Sequence, residues 1–408
     1  MLDHLRPHYA KEFRCITSAC EDICCHGLDV VIDREVFEKY QSTSRLQHLL
    51  EHVQRCPGRP SDQQYARISL DASATCPFLS PARLCGIQQE FGEPCMPEIC
   101  TRYPRVTRRV DGLLENALHL SCPEAARVVL LNPHLTQPDP SITGDLSPYH
   151  RYLLAGEPPA HANGSPHQFL WEIRGLTLLL LQDRSYPLWQ RLFLLGMFSK
   201  RLQEIFAAGQ DEVIPQLLKV YAELIVQGKL RCSMDGIPVQ SALQLAVVME
   251  IVRSHLENTD VSHIRFRECV KEFLAGIHYD PGVPVQDYAP HYAEAHARYY
   301  QPFMQTHPHL LENYLVNHVF KARFPFGADS QGNPTDAQTE CLIMCLQYAV
   351  IKGLLIGMAG HYGERFSADH VVKLVQSFAK AAEHCPRFLE SISPDLANAD
   401  GMALLLKN

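Results

Sequence analysis

The chain has 408 residues, 46% hydrophobic and 20% charged, the proportions of an ordinary globular protein with material for about two or three domains. A net charge of −8 and no long cluster of Lys and Arg exclude the electrostatic footprint of a nucleic-acid binder; the most basic stretch, 102–109, reads as a solvated loop or strand edge. No run approaches the ~18 uninterrupted apolar residues of a membrane span, and the N-terminus lacks a basic-then-apolar export signal, so a cytoplasmic protein with no membrane or nucleic-acid partner is expected.

In chain order, 28–32 is a short apolar run, and Asp33 is placed to cap a helix through Tyr40. The runs 106–110 and 113–120 flank Asp111-Gly112, a dipeptide that favours a two-residue hairpin turn because both positions tolerate positive φ. Ser121-Cys122-Pro123-Glu124 has capping-box spacing and opens a helix over 125–131. Prolines 133, 138, 140, 148, 158, 159 and 166 mark 132–166 as a linker or extended arm. Beyond it the pattern is helical. Phe266, Cys269, Val270, Phe273, Leu274 and Ile277 repeat at helical spacing. Thr335-Asp336-Ala337-Gln338 reads as a second capping box, starting a helix with Leu342, Leu346, Ala349, Val350 and Gly353 on one face. Gly357-Met358-Ala359-Gly360-His361-Tyr362-Gly363 follows that pattern and reads as a helix end, not a nucleotide loop. Ser367 caps a last long helix carrying Val371, Leu374, Val375 and Phe378. The expected fold is α+β: a small loop-rich cysteine-cluster domain with short strands over 1–131, the arm over 132–166, and a larger all-α domain over 167–408.

Cysteine usage sets the chain apart. Fifteen are present, and ten fall between Cys15 and Cys122. Without an export signal the thiols stay reduced, which favours metal binding over disulfides. Thiolates suit zinc and iron–sulfur clusters, each of which takes four. The adjacent pair Cys24 and Cys25 is awkward for one zinc, because neighbouring side chains diverge, and is easier for a multi-iron cluster; zinc stays the alternative. Cys56 and Cys95, in Pro/Gly-flanked loops, are the weakest ligands, and Cys269 sits on an apolar helical face. The C-x3-C-x2-C signature of radical S-adenosylmethionine enzymes is absent: Cys20-x3-Cys24 is followed by Gly27, and Cys341-x3-Cys345 by Tyr348.

Cys15-x4-Cys20-x3-Cys24-Cys25, then Cys76-Pro77-Phe78-Leu79, Leu84-Cys85-Gly86-Ile87 and Cys100-Thr101-Arg102-Tyr103-Pro104-Arg105, resemble the zinc- or iron-chelating cysteine-cluster superfamily. The first interval is longer than that superfamily's usual two or three residues. Leu120-Ser121-Cys122-Pro123-Glu124-Ala125-Ala126-Arg127 narrows the resemblance to the flagellin lysine-N-methylase family. Ile173-Arg174, Leu188-Trp189-Gln190-Arg191-Leu192, Glu312-Asn313-Tyr314-Leu315-Val316-Asn317, Phe324-Pro325-Phe326, Gln376-Ser377-Phe378 and Glu383-His384 agree with its later motifs. The resemblance implies methyl transfer from S-adenosylmethionine to flagellin lysines in the cytoplasm. It also implies a centre, most simply a 4Fe-4S cluster, held among Cys15, Cys20, Cys24, Cys25, Cys76, Cys85, Cys100 and Cys122.

That reaction is an in-line displacement by a neutral amine, and a free lysine is neutral in only about one molecule in 2,500 at pH 7. A site must desolvate the amine or take its proton. The best polar group in the helical part is Glu312, Asn313, Tyr314 and Asn317, with His318 beside it and Tyr299 and Tyr300 upstream; the plainer reading is a polar helix face with capping contacts. Arg174 and Arg191 are candidates for the cofactor's carboxylate, against the plainer reading of interdomain ion pairs. Two other function classes stay open: a non-catalytic metal-stapled binding protein for a flagellar client, and an iron–sulfur oxidoreductase module.

Overall fold

The computed structural model describes residues 9–58, 60–110, 113–135, 166–257, 263–327, 334–382 and 399–407. Asp111-Gly112, most of the expected arm, and Glu383-His384 lie outside the described residues. The fold is α+β. Among the described residues five short strands all precede residue 119, and helices follow.

Strands β1 (Val31–Ile32), β2 (Val53–Arg55) and β3 (Ala66–Ile68) form an antiparallel sheet in the order β1-β3-β2, with Ile32 opposite Ala66 and Val53 opposite Ile68. Asp33 starts the helix Arg34–Ser42, its carboxylate accepting the Val36 N–H at 2.8 Å. Ile32, Phe37, Tyr40, Leu46, Leu49, Ile68 and Ile87 fill a small core of their own. Strands β4 (Arg105–Val110) and β5 (Leu113–Leu118) pair antiparallel with Val110 opposite Leu113.

Two capping boxes differ from expectation. The helix Pro123–Leu130 has Cys122, not Ser121, at its N-cap, because Pro123 takes the first helical position where a missing N–H costs nothing. The Ser121 hydroxyl meets Tyr103 Oη at 3.0 Å instead. The helix Ala337–Tyr362 is capped by Asp336, whose carboxylate accepts the Thr339 N–H at 2.8 Å, while the Thr335 hydroxyl bonds Glu340. Asp is the stronger acceptor at that position. Ser367 does precede the helix Ala368–Ala382, with its N–H donating to His370 Nδ1 at 3.0 Å.

Helix Ala337–Tyr362 is the axis of the larger part. Around it pack Leu188–Ala208, Ser241–Glu257, Ile264–Gly276, Ala289–Ala295, His309–Ala322, Ala368–Ala382 and Ala399–Leu406. It is apolar on all sides, as a fully surrounded helix must be. By length and composition it is apolar enough to cross a membrane, which a search for uninterrupted runs misses because Lys352 divides it; 89% of its most apolar 18 residues is buried inside the protein. It ends at Gly363, whose φ of +57° closes the last turn. Gly357 and Gly360 have a different task. A Cβ on Gly276 would stand 1.8 Å from the Gly357 carbonyl oxygen, so these glycines let helix Ile264–Gly276 touch the axis backbone to backbone.

The apolar core of the helices also takes in Tyr9, Phe13, Leu118, Leu120, Val129 and Leu130. The segment expected as one unit over 1–131 is therefore shared between two cores. Its ends join the helices, and its middle forms the small core.

Candidate functional site

Eight cysteines, Cys15, Cys20, Cys24, Cys25, Cys76, Cys85, Cys100 and Cys122, line one cavity of about 330 Å³. Local structure aims each of them. The Cys76 N–H donates to the Cys25 carbonyl at 2.8 Å, bringing the Cys76 loop against the Cys24-Cys25 pair. Cys85 is the N-cap of helix Gly86–Phe91, and Gly86 sits so close to Phe78 that a Cβ would lie 3.0 Å from its carbonyl oxygen. Cys100 lies on the short helix Glu98–Arg102 and Cys122 at the N-cap of Pro123–Leu130. Cys56 and Cys95 are not part of the lining; the buried Cys95 instead gives its carbonyl to Tyr40 Oη at 2.6 Å.

Backbone amides point at the sulfurs. Cys15 Sγ accepts the Thr17 N–H at 3.4 Å. Cys20 accepts from Asp22, Cys76 from Phe78, Cys85 from Ile87 and Gln88, and Cys122 from Glu124 and Ala125. Such N–H···S bonds stabilise thiolate and tune a bound cluster. Without a cation, burial raises the thiols of Cys20 and Cys85 and pushes that of Cys122 up to about 12. Cys25 donates to Cys24 and Cys76, which brings both to about 7 and raises its own. A bound metal reverses the penalty by supplying the missing positive charge.

Among the described residues no three Cys, His, Asp or Glu side chains are grouped closely enough to hold one metal ion. Eight soft sulfurs around the cavity are the ligands of iron–sulfur chemistry.

Helix Ala368–Ala382 holds the cysteine loop in place. Gln376 donates to Asp22 Oδ2 at 2.8 Å and to the Ser121 carbonyl at 2.9 Å. Lys380 donates to Asp22 Oδ1 at 2.8 Å and to the Ile23 carbonyl at 3.2 Å. Burial alone would raise the Asp22 carboxyl, but the Lys380 ammonium and these hydrogen bonds hold it below the usual carboxylate range. Sequence reading marked Gln376 only as part of a motif and missed Lys380, since nothing local connects either to residue 22. A second cavity of about 330 Å³ opens beside the first, sharing Asp22 and Ile23 with it and edged by Glu21, His26, Arg265 and Glu268.

The polar residues of helix His309–Ala322 are buried and engaged with protein partners. Glu312 accepts from Arg191 at 2.8 Å and from Arg184 at 2.9 Å. Asn313 Nδ2 donates to the carbonyls of Val129 at 2.9 Å and Asn132 at 2.7 Å, closing the C-terminus of helix Pro123–Leu130. Tyr314 Oη donates to Gln347 at 3.1 Å. Asn317 accepts from Tyr9 Oη at 2.7 Å and donates to the Leu118 carbonyl at 3.0 Å. Asn313 and Asn317 share a face, as their spacing requires, and that face grips the N-terminal segment. The buried Arg174 pairs with Glu115 on β5, and Arg191 also donates to the Tyr186 and Leu181 carbonyls, each at 2.7 Å. The structure thus gives both arginines carboxylates of the protein itself, and Arg174 bridges the hairpin to the helices.

One buried polar group went unnoticed in the sequence. A π-helical turn at His296–Tyr300 faces the axis helix near Tyr348 and Lys352. Burial and then the nearby Lys352 lower His296 to about 4, and burial lowers Lys352 to about 7. Its only local sign was a lone lysine in an apolar helix.

A profile of the FliB lysine N-methylase C-terminal domain matches residues 174–407. The chain is 25% identical over 389 residues to the Lysine-N-methylase of Salmonella typhimurium, covering 93% of this chain and 91% of that protein, and equally to that of Salmonella choleraesuis. It is 26% identical over 150 residues to the Flagellar biosynthetic protein FliU of Salmonella muenchen, 36% of this chain and 86% of that one. No solved structure matches. With the domain profile spanning more than half its length, the chain belongs to the FliB lysine N-methylase family, enzymes that methylate protein lysines.

Proposed function

We propose that this methylase transfers the methyl group of S-adenosylmethionine to the ε-amines of flagellin lysines, in the cytoplasm before export. Relatedness to a Lysine-N-methylase over 93% of the chain carries the reading, and the flagellar name of a further relative supports flagellin as substrate. The methyl carbon passes from sulfonium to nitrogen in one displacement, and the amine's proton must leave first. The cavity beside the cysteines is our choice of seat for the lysine arm, because it is of ligand size and brings Glu21 and Glu268 carboxylates to its wall.

The cysteine-lined cavity would hold an iron–sulfur centre, of the 4Fe-4S type, with zinc as the alternative metal. When bound, the cluster supplies cross-links between loops that have few other reasons to stay together, a folding staple. The chain's own part is to aim the thiols and, through Asp22, Gln376 and Lys380, to fasten that staple to the helices.

The test is methyl transfer from labelled S-adenosylmethionine to purified flagellin by anaerobically purified protein. Label on flagellin lysines is the expected result. No incorporation at intact metal content would leave the client-binding reading in its place, and reversible reduction coupled to turnover would favour the oxidoreductase.

A further inference from the structure

A carboxylate on a bound ligand needs a cation that the protein has not already paired. Arg174 and Arg191 are held by Glu115 and Glu312. Lys380, on the wall of the cavity beside the cysteines, is held by Asp22 at 2.8 Å. Arg265, on the same wall, is different. Its Nε donates to Gln376 Oε1 at 2.9 Å. That amide can face only one way, because the Nε2 group of the fully buried Gln376 already donates to two acceptors, Asp22 and the Ser121 carbonyl. The contact fixes the guanidinium by its Nε edge and leaves the Nη edge to the cavity. Among the described residues the one carboxylate within 4 Å of it is Glu21, at 4.0 Å, too far for a hydrogen bond. Glu21 itself faces Arg127, at 2.5 and 2.9 Å. Arg265 also lies in the first turn of helix Ile264–Gly276, whose N-cap residue His263 makes no side-chain cap, so the helix dipole adds positive field at the same place.

We propose that Arg265 and Glu21 bind the amino-acid head group of S-adenosylmethionine, the guanidinium taking its carboxylate through two parallel hydrogen bonds and Glu21 its ammonium. The assignment rests on the S-adenosylmethionine reading given above and adds to it the donor's place in the cavity and the residues that hold it. A guanidinium and a carboxylate 4.0 Å apart suit a ligand that carries opposite charges on one carbon. A lysine within a protein chain has no such head group, so the pair selects the donor and not the protein substrate. A carboxylate accepts at about four lone-pair positions, so Glu21 can keep Arg127 and take an ammonium as well. Ile264, 60% exposed, gives the rim an apolar surface for the rest of the donor. Glu268, three residues on and so on the same helix face as Arg265, remains at the wall for the lysine arm. Gln376 joins the two cavities: one amide aims Arg265 and fastens the Asp22 turn of the cysteine loop. Arg265 thus takes the role that the sequence offers to Arg174 and Arg191.

The test is titration calorimetry of the full-length, anaerobically purified protein with S-adenosylhomocysteine, which keeps the head group but has no methyl to transfer, and with its decarboxylated analogue. Wild type is expected to bind the first about 10- to 100-fold more tightly, the worth of a hydrogen-bonded contact to a charged group. In Arg265→Met the two ligands are expected to bind alike, while Lys271→Met, an exposed change on the same helix outside the cavity, keeps the full ratio. A wild-type ratio near one overturns the assignment. So does a ratio that Arg265→Met leaves unchanged, whether both ligands bind as before or both weaken equally, since a merely structural arginine acts on the two together. An unchanged ratio with a raised KM for flagellin would give Arg265 to an acidic residue of the protein substrate instead. Should Arg265→Met lose wild-type helicity by circular dichroism, Arg265→Lys decides: its ammonium cannot make the bidentate contact, so a smaller ratio is expected and an unchanged one overturns the assignment. Failure of wild type to bind either S-adenosylmethionine or S-adenosylhomocysteine would overturn the S-adenosylmethionine reading itself.

Discussion

Glu312 shows how a residue's chemistry depends on what surrounds it. By type and neighbours it resembles an acid–base group, yet two guanidiniums hold it, one of them with a side chain only 5% exposed. Removing one partner of such a buried pair leaves an uncompensated charge, a loss of about 3–5 kcal/mol. Lys352 is the opposite case, a buried ammonium whose hydrogen-bond acceptor is the neutral Leu406 carbonyl, 3.0 Å away. Its pKa is lowered to about 7 in the folded protein, against about 10.4 in the unfolded chain. Between those values the unfolded state binds more protons, so this lysine's contribution to stability rises with pH; below pH 7 its full cost is present. Lys352→Met is therefore expected to be more stable than the parent by about 2–4 kcal/mol at pH 6, with the gap closing towards pH 10. Urea midpoints at pH 6, 8 and 10 measure it, and a gap that does not change with pH would contradict the burial argument. Residue types were legible here; their partners, more than a hundred positions away for Glu312 and Arg191, were not.

For whole elements the hydrophobic period was a good guide. It located helices Ile264–Gly276 and Ala368–Ala382, because each depends on neighbours within one or two turns. It erred at two caps, where adjacent polar residues competed and proline or aspartate decided the outcome. It also read a glycine run only as a helix end, although Gly357 and Gly360 are spaced for contact with Gly276 on another helix. Gly276→Ala is expected to destabilise by about 3 kcal/mol or prevent folding, since the helices must separate to admit the methyl group. Gly236→Ala is the matched control, because its Cβ would meet nothing nearer than 3.5 Å. Thermal melts of the pair compare them; equal midpoints would show that the close approach is not needed.

At the scale of the molecule, the two cores set how the parts respond to each other. The small core around β1, β2 and β3 has few apolar residues and lies against the cysteine loops, while the large one is built on the axis helix. On the proposed reading of a metal centre in the cysteine-lined cavity, a chelator is expected to release the middle of the N-terminal region without melting the helices. Calorimetry should then show a separate transition on the order of 10 °C or more below the main one, and limited proteolysis should cut first within residues 24–100. A single transition that shifts as a whole would mean that the staple supports both cores together.

The sequence alone determined the α+β division and several of the helices, and singled out the eight cysteines, because hydrophobic period and cysteine spacing are short-range signals carried by neighbouring residues. Only the tertiary structure decided that all eight cysteines face one cavity and that Asp22, Gln376 and Lys380 bind their loop to a helix more than 350 residues on. It likewise showed Asn313, Asn317 and Arg174 to be joints between the two parts of the chain, and Glu312 and Arg191 to be paired with each other inside the helical part. Contacts of that kind join residues that no local pattern relates. They form only when packing the apolar faces brings distant polar groups into a space where each must find a partner.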